Sequence, residues 1–179
     1  MNLEQRIFST SYQKILRYLV DNPSDEYVEK EIQNVTGISK AGVNFGLRAL
    51  TEDGLVNCKK KGKFSFYSVD LNQSKIRQIK VLANLVVIDP LIKSLQDLSE
   101  KIIFFGSSAT GTNIEESDID LFILTNRPEE VKRVLSESPL SEKIQAIIKK
   151  PIEYLPLKAK DPIFYEEISE GLVTWESKK

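Results

Sequence analysis

Residues 102–124 read IIFFGSSATGTNIEESDIDLFIL, and this stretch decides the fold of the second half of the chain. Its first four residues are apolar and are followed by Gly106, which is typical of a short buried strand. A second apolar run opens with Asp118 and Asp120, and side chains at positions i and i+2 of a strand point to the same face. The sequence therefore predicts a strand, a Gly-Ser turn and a second strand that carries two carboxylates on one face.

The paired carboxylates and the turn suggest one kind of chemistry. Two carboxylates held this close repel each other unless a cation lies between them, so the pair favours a divalent metal. Gly106 lets the main chain come close to a ligand, and the N–H groups of the turn with the Ser107 hydroxyl suit phosphate oxygens. Together, a phosphate-binding turn and metal-binding carboxylates are the features that phosphoryl or nucleotidyl transfer requires. The alternative is that Asp118 only caps a turn and Asp120 is a solvated strand residue.

The spacing of Gly-Ser, ten residues and Asp-x-Asp resembles the nucleotidyltransferase superfamily typified by DNA polymerase beta, in particular its minimal bacterial and archaeal branch. The resemblance covers roughly residues 100–175. It implies an α/β fold with a mixed sheet and flanking helices, a Mg²⁺ or Mn²⁺ ion, and an NTP substrate, with ATP as the expected one. It assigns catalysis and metal binding to Asp118, Asp120 and Glu153, and nucleotide binding to Gly106, Ser107, Ser108 and Gly111.

Glu153 enters through the position of a third carboxylate in this family, which lies on the strand after the helical region that follows the Asp pair. The sequence predicts a helix that begins at Pro128, a second helical segment over residues 141–148 and a strand over residues 152–157. Glu153 lies on that predicted strand, and the alternative is that it is a solvated edge-strand residue. Thr110 stands where many relatives carry an Arg that can engage phosphate.

The amino-acid composition narrows the possible classes of protein and of functional site. A chain of 179 residues with 41% apolar content can form one or two compact domains. The single cysteine, Cys58, excludes an intrachain disulfide, and the absence of His removes the usual imidazole ligand and proton shuttle. The net charge of −1 argues against a uniformly basic nucleic-acid binder. With no signal-peptide pattern and no apolar run of membrane-spanning length, a cytoplasmic protein without membrane contact is expected.

The first 71 residues follow a different pattern. Apolar residues at helical spacing predict helices over residues 3–20 and 27–35 and a third helix that is capped by Ser39 and ends at Asp53-Gly54. Phe45 of the third helix is assigned to the core. Residues 55–69 alternate as two strands of a hairpin with a basic tip, which contains Lys59, Lys60, Lys61 and Lys63.

This order of three helices and a basic hairpin resembles a winged helix-turn-helix domain over residues 1–71. In that family the third helix enters the major groove of DNA and the hairpin contacts backbone phosphates. The resemblance assigns DNA contacts to Ser39, Lys40, Asn44 and Arg48 on the third helix and to Lys59, Lys60, Lys61 and Lys63 on the hairpin. The alternatives are that the lysine-rich tip is only a solvated turn and that the domain mediates dimerisation.

Residues 72–99 are too apolar for a free linker and are predicted to form a helical connector, interrupted at Asp89-Pro90, that could contribute to a homodimer. Residues 100–179 form the predicted nucleotidyltransferase domain. Three hypotheses follow. The protein is a metal-dependent nucleotidyltransferase with an unknown hydroxyl acceptor, a transcription regulator whose second domain senses nucleotide or holds a dimer, or an antitoxin that modifies a small toxin protein.

Overall fold

The computed structural model describes residues 3–177, and contacts within the chain divide it into two units, residues 1–86 and residues 87–179. The first unit holds α1 (Leu3–Ile7), α2 (Ser11–Asp21), α3 (Glu29–Thr36), α4 (Lys40–Glu52), β1 (Asn57–Lys61) and β2 (Phe64–Ser68). The boundary between the units falls within α5 (Ser74–Leu95), which continues through Pro90 instead of breaking there as predicted. Among the described residues, no helix combines the length and apolar character that crossing a membrane requires.

The first helical stretch is divided by a cap. The Thr10 hydroxyl accepts a hydrogen bond from the N–H of Gln13 at 3.2 Å, and the Gln13 side chain accepts one from the N–H of Thr10 at 3.0 Å. This reciprocal pair is a capping box, which starts a new helix. The prediction of one helix over residues 3–20 is therefore wrong, and the chain forms α1 and α2 instead.

Helix α4 begins where the sequence predicts, because the Ser39 hydroxyl accepts a main-chain N–H of the first turn. Val43, Leu47 and Leu50 are fully buried and form the stripe that packs into the core of the first unit. The side chain of Phe45 is 77% exposed, so its assignment to the core is wrong.

The predicted hairpin is present, with β1 and β2 antiparallel and Lys60 opposite Ser65. Lys59, Lys60 and Lys61 belong to β1, so they line one strand of the hairpin. Of the four lysines, only Lys63 lies at the tip, beside Gly62. The basic residues therefore extend along the hairpin, which is a larger surface than the predicted basic tip.

The second unit is built on a four-stranded mixed sheet with the strand order β5-β4-β3-β6. Strand β4 runs antiparallel to β3 and parallel to β5, and β6 runs antiparallel to β3. The sheet and its flanking helices confirm the predicted α/β fold class. The elements are β3 (Lys101–Phe105), α6 (Gly106–Thr110), β4 (Ile119–Leu124), α7 (Pro128–Glu137), β5 (Ile144–Lys149), α8 (Pro151–Tyr154), α9 (Leu157–Lys160), α10 (Pro162–Ser169) and β6 (Leu172–Glu176).

One face of the sheet carries an apolar core. Ile103 and Phe105 of β3 lie on this face with Phe122 and Leu124 of β4, and Ile168 of α10 is buried against them. Tyr154, Leu157 and Phe164, from α8, α9 and α10, complete the layer. Asp120 precedes Phe122 by two positions, so it lies on the same face, at the end of the core.

Two elements after α7 differ from the predictions. Residues 144–149 form strand β5, whereas the sequence predicts a helical segment over residues 141–148. Residues 151–160, which include the strand predicted over residues 152–157, form α8 and α9. Three of the six β5 residues are isoleucines, whose branched side chains suit a strand paired to β4. Pro151 lies at the first position of α8, where its fixed backbone angle suits a helix.

Candidate active site

The Gly-Ser turn and Asp120 are in direct contact. Strand β3 ends at Phe105, which pairs with Asp120 across the β3–β4 ladder, and the chain turns at Gly106 with a φ of 71°. A Cβ placed on Gly106 would lie only 2.2 Å from Oδ2 of Asp120. The antiparallel register thus places a carboxylate against the main chain of the turn, as the sequence predicts.

Asp118 and Asp120 lie at the N-terminal end of β4. Asp118 is exposed and directly precedes β4, whereas Asp120 is half-buried within it. Burial raises the pKa of the Asp120 carboxyl above its ordinary value, and the negative charges of Asp118 and Glu167 raise it further. The carboxylates of this region therefore repel one another, and a bound cation would offset this repulsion.

Ser108 holds the loop that carries Asp118. Its side chain is buried, and its hydroxyl donates a hydrogen bond to the main-chain carbonyl of Asp118 at 2.9 Å. This bond ties the short helix α6 to the residue before β4, ten positions further along the chain. Ser108 therefore positions the carboxylate pair.

The rest of the turn is closed by hydrogen bonds around the Ser107 carbonyl. This oxygen accepts the N–H groups of Gly111 and Thr112, the latter at 3.0 Å. Gly111 ends α6 in the left-handed conformation with a φ of 71°. The Thr110 hydroxyl, which stands where the resemblance expects an Arg, lies 3.1 Å from the Ser107 carbonyl, so it braces the loop without adding charge.

The sequence predicts Glu153 on a strand, but the structure places it on a helix. It belongs to α8, where its carboxylate accepts the N–H of Lys150, the residue before the helix, at 2.7 Å. Within residues 3–177, no three His, Cys, Asp or Glu side chains are placed to hold one metal ion, so Asp118, Asp120 and Glu153 are not assembled as a triad. The Glu153 carboxylate is occupied in starting a helix.

The strand that follows α7 is β5, and its residue beside the Asp pair is Gln145. The parallel β4–β5 register pairs Asp120 with Gln145, so the two side chains lie on the same face. Gln145 is exposed and uncharged. Sequence reasoning missed it because residues 141–148 were interpreted as a helix, although the pair of isoleucines at 147 and 148 was the available strand signal.

The site nevertheless fits a Mg²⁺ ion. This ion is usually bound by one or two carboxylates together with substrate phosphates, and it keeps several waters. Asp118 and Asp120 supply two carboxylates beside a turn whose close main-chain approach depends on Gly106. Burial and then the like charges of Asp118 and Glu167 raise the pKa of Asp120, and a divalent ion would neutralise those charges.

Comparison with known proteins finds a family match in the second unit. Residues 88–174 match the family of nucleotidyltransferase domains. The matched nucleotidyltransferase region contains the Gly-Ser turn, the Asp pair, Gln145 and Glu167. A solved structure from Sulfolobus solfataricus, with the provisional description of a nucleotidyltransferase, is 21% identical to this chain. The likeness covers 59% of this chain and 89% of the other, with a TM-score of 0.35.

In the first unit, several residues assigned to DNA binding have partners within the protein. Arg48 pairs with Glu52 at 2.9 Å, and Asn44 donates a hydrogen bond to Glu29 at 3.3 Å. Lys59 and Lys61 both pair with Glu26. The Ser39 hydroxyl caps α4, and Lys40, Lys60 and Lys63 are exposed.

A groove of about 580 Å³ lies between α3, α4 and the hairpin. Its lining includes three basic residues, Lys30, Lys40 and Lys63, together with the exposed ring of Phe64. Glu29 also lines the groove, but its carboxylate accepts hydrogen bonds from Asn44 and Tyr67. Sequence reasoning missed Lys30, which comes from α3 and has no place in the lysine cluster of the hairpin.

Proposed function

We propose that the protein is a metal-dependent nucleotidyltransferase that moves an NMP group from an NTP, with ATP as the expected donor, to a hydroxyl of a separate acceptor. The observation that carries the proposal is the contact of the Asp120 carboxylate with Gly106 in a region that matches nucleotidyltransferase domains. A carboxylate against a Gly-Ser turn offers a place where a metal and a nucleotide phosphate can meet.

In this proposal, some residues bind the metal and the nucleotide, and others position the metal ligands. Asp118 and Asp120 hold Mg²⁺ or Mn²⁺, while Gly106, Ser107 and Gly111 form the turn that receives the phosphates. Ser108 keeps Asp118 in place through its hydrogen bond to the Asp118 carbonyl. The bound ion neutralises charge that develops on the phosphate oxygens.

The reaction itself is an in-line substitution at the α-phosphorus. A bond forms between the acceptor oxygen and the α-phosphorus, the bond from the α-phosphorus to the bridging oxygen breaks so that pyrophosphate leaves, and the proton of the acceptor hydroxyl passes to water. The contact of the Asp120 carboxylate with Gly106 supports a role of this carboxylate in orienting the substitution.

Transfer of α-labelled ATP to the macromolecules of a cell extract tests the proposal. Labelling should require Mg²⁺ or Mn²⁺ and should be lost in Asp120→Asn, because the amide removes one charge of the metal site. Glu116→Gln is the matched control, since Glu116 is an exposed acid of the same loop, outside the proposed site. Undiminished label transfer in Asp120→Asn would refute the proposal.

A second function is favoured by the basic groove of the first unit. We propose that residues 1–71 form a winged helix-turn-helix domain that binds DNA, and that a homodimer would present two such grooves to two half-sites. Lys30, Lys40 and Lys63 converge on the groove, and phosphate is the natural partner of clustered lysines. The second unit would then couple DNA binding to nucleotide, as in the regulator hypothesis.

The salt dependence of DNA binding tests this second proposal. Each lysine that contacts a phosphate contributes roughly one unit to the slope of log affinity against log salt concentration. Lys40→Gln and Lys63→Gln should each reduce the slope, whereas Lys132→Gln should not, because Lys132 lies on α7 of the other unit and pairs with Glu129. Absence of DNA binding at low salt would exclude the function.

A further inference from the structure

Strand β5 leaves the site without a third carboxylate. Its residue beside Asp120 is Gln145, which can bind a cation only through a neutral amide oxygen. The carboxylate of Glu153 is engaged by the Lys150 N–H. If the site performs the proposed transfer, on which this inference rests, a third acidic group has to come from another element.

Helix α10 lies over the same face of the sheet as Asp120. The ring of Phe164 packs edge-on against Phe105 and Phe122, with 6.1 Å between the ring centroids in each pair. Ile168, one turn further along, is fully buried in the same core. Phe105 is the ladder partner of Asp120, so helix α10 covers the strand positions next to Asp120.

The end of α10 is fixed close to the turn. Gly171 follows the helix, and a Cβ placed on it would lie 2.9 Å from the carbonyl oxygen of Phe104 and 2.9 Å from Cβ of Phe105. This tight passage places the last turn of α10 beside the end of β3, where the chain enters Gly106. The last turn of the helix is thus at the site end of the sheet.

Glu167 lies on this last turn, next to the side of α10 that packs on the sheet. It is three residues after Phe164 and directly before Ile168, and residues three apart on a helix lie on the same side. Its charge acts on Asp120 together with that of Asp118. Its side chain is exposed, so its rotatable bonds leave the carboxylate free to reorient toward an ion between the two aspartates.

We infer that Glu167 of α10 supplies the third carboxylate of the metal site, in place of the strand position that Gln145 occupies. The helix thereby takes over a role for which β5 has only an amide. Within residues 3–177 these three carboxylates are not gathered around one point, so Glu167 would approach an ion held by Asp118 and Asp120 through rotation of its side chain. The shared apolar core holds α10 and β4 together for this approach.

Mn²⁺ binding gives a readout that is independent of turnover. Calorimetric titration of Mn²⁺, with and without a non-hydrolysable ATP analogue, should show that Glu167→Gln weakens Mn²⁺ affinity by roughly tenfold or more, the range found when groups that support metal ligands are removed. Glu166→Gln is the matched control, because Glu166 is the exposed acid next to it on α10. Its Mn²⁺ affinity should equal that of the wild type.

Two further variants sharpen the test. Gln145→Glu restores a carboxylate at the β5 position without a change in size, so it should recover Mn²⁺ affinity in the Glu167→Gln background. Glu153→Gln should leave Mn²⁺ affinity unchanged, because its carboxylate caps α8. Thermal unfolding of each variant confirms that the changes in affinity occur in folded protein.

The possible failures can be told apart. Wild-type protein that binds no Mn²⁺ with the nucleotide analogue would refute both the proposed function and this inference. Wild-type binding that Glu167→Gln leaves intact, or that Glu153→Gln abolishes, would overturn the inference alone and leave the transferase proposal standing.

Discussion

Oδ2 of Asp120 lies 2.2 Å from the position that a Cβ on Gly106 would take, so the carboxylate fills the space that any larger residue would need. Two separate requirements make this residue a glycine. Its φ of 71° is in the left-handed region, and its missing side chain admits the carboxylate. Through Gly106, this contact joins the turn proposed to receive the phosphates to the carboxylates proposed to hold the metal.

The first prediction separates these two requirements. Gly106→Ala should abolish Mg²⁺-ATP binding in calorimetry, because the new methyl group displaces the Asp120 carboxylate. Gly62→Ala is the strain control, since Gly62 has a φ of 62° and open space where its Cβ would be. Left-handed alanine costs about 1–2 kcal/mol, so Gly62→Ala should lower stability by this amount and keep nucleotide binding.

A double-mutant cycle within the second unit completes this test. The stability lost in Gly106→Ala should be smaller when Asp120 is already alanine, because the clash with the carboxylate is gone and the new methyl meets only Cβ of residue 120, at 3.3 Å, besides the backbone strain. Equal losses in both backgrounds, or intact Mg²⁺-ATP binding in Gly106→Ala, would contradict the close contact.

The second prediction concerns pH and Asp120. Its pKa in the fold is raised above its ordinary value, first by burial and then by Asp118 and Glu167. The native state therefore binds more protons than the unfolded state between the ordinary and the raised pKa, so stability falls as the pH rises through that interval and stays lower above it. Asp120→Asn removes the penalty, and its melting temperature at pH 7 should exceed that of the wild type.

The measurement needs metal-free protein, because a bound cation would favour the charged carboxylate. Thermal unfolding with a chelator should show a difference between Asp120→Asn and wild type that shrinks as the pH approaches about 4, near the ordinary Asp pKa. Glu116→Gln, an exposed acid of the loop before Asp118, should show no such pattern. A lower melting temperature for Asp120→Asn at pH 7 would argue against like-charge repulsion in the site.

The third prediction tests the positioning role of Ser108. Ser108→Ala removes the buried hydroxyl that donates to the Asp118 carbonyl at 2.9 Å, which should cost about 1 kcal/mol of stability and weaken Mg²⁺-ATP binding. Ser136→Ala is the control, because the exposed Ser136 hydroxyl donates to the Arg133 carbonyl within α7 at 2.8 Å. It should lie within about 0.5 kcal/mol of the wild type.

If Ser108→Ala loses stability but binds Mg²⁺-ATP with unchanged affinity, then Ser108 is only a packing residue. Rescue of binding by Ser108→Thr, which keeps the hydroxyl, would instead support the hydrogen bond as the cause. The comparison therefore separates support of Asp118 from support of the fold.

The strand, turn and strand around the site could be predicted because each part has a local cause. The apolar runs are short, Gly106 requires a special backbone conformation, and Asp118 and Asp120 are spaced by the period of a strand. Ser39 was predictable for the same reason, since a cap depends on the hydroxyl of one residue. Local chemistry of this kind can be read without the tertiary structure.

The remainder of the site depends on pairing between distant segments. Residues 144–149 become a strand because they pair with β4, and nothing local fixes Gln145 beside Asp120. The role inferred for Glu167 depends on Phe164 and Ile168, which fix α10 on the sheet. The error at Phe45 was avoidable, since it is two residues from Val43 and from Leu47 and so lies off their helical stripe.

The last prediction concerns the hairpin of the first unit. Glu26 forms ion pairs with both Lys59, at 3.4 Å, and Lys61, so it competes with DNA phosphates for two of the four hairpin lysines. Glu26→Gln should therefore tighten DNA binding and steepen its salt dependence, by up to roughly one unit of slope for each lysine released. Glu129→Gln removes the same charge from a pair with Lys132 on α7 and serves as the control. Fluorescence anisotropy of labelled duplex DNA at several salt concentrations measures both effects. An equal change in the two variants would reflect net charge alone and would refute a specific role for the hairpin.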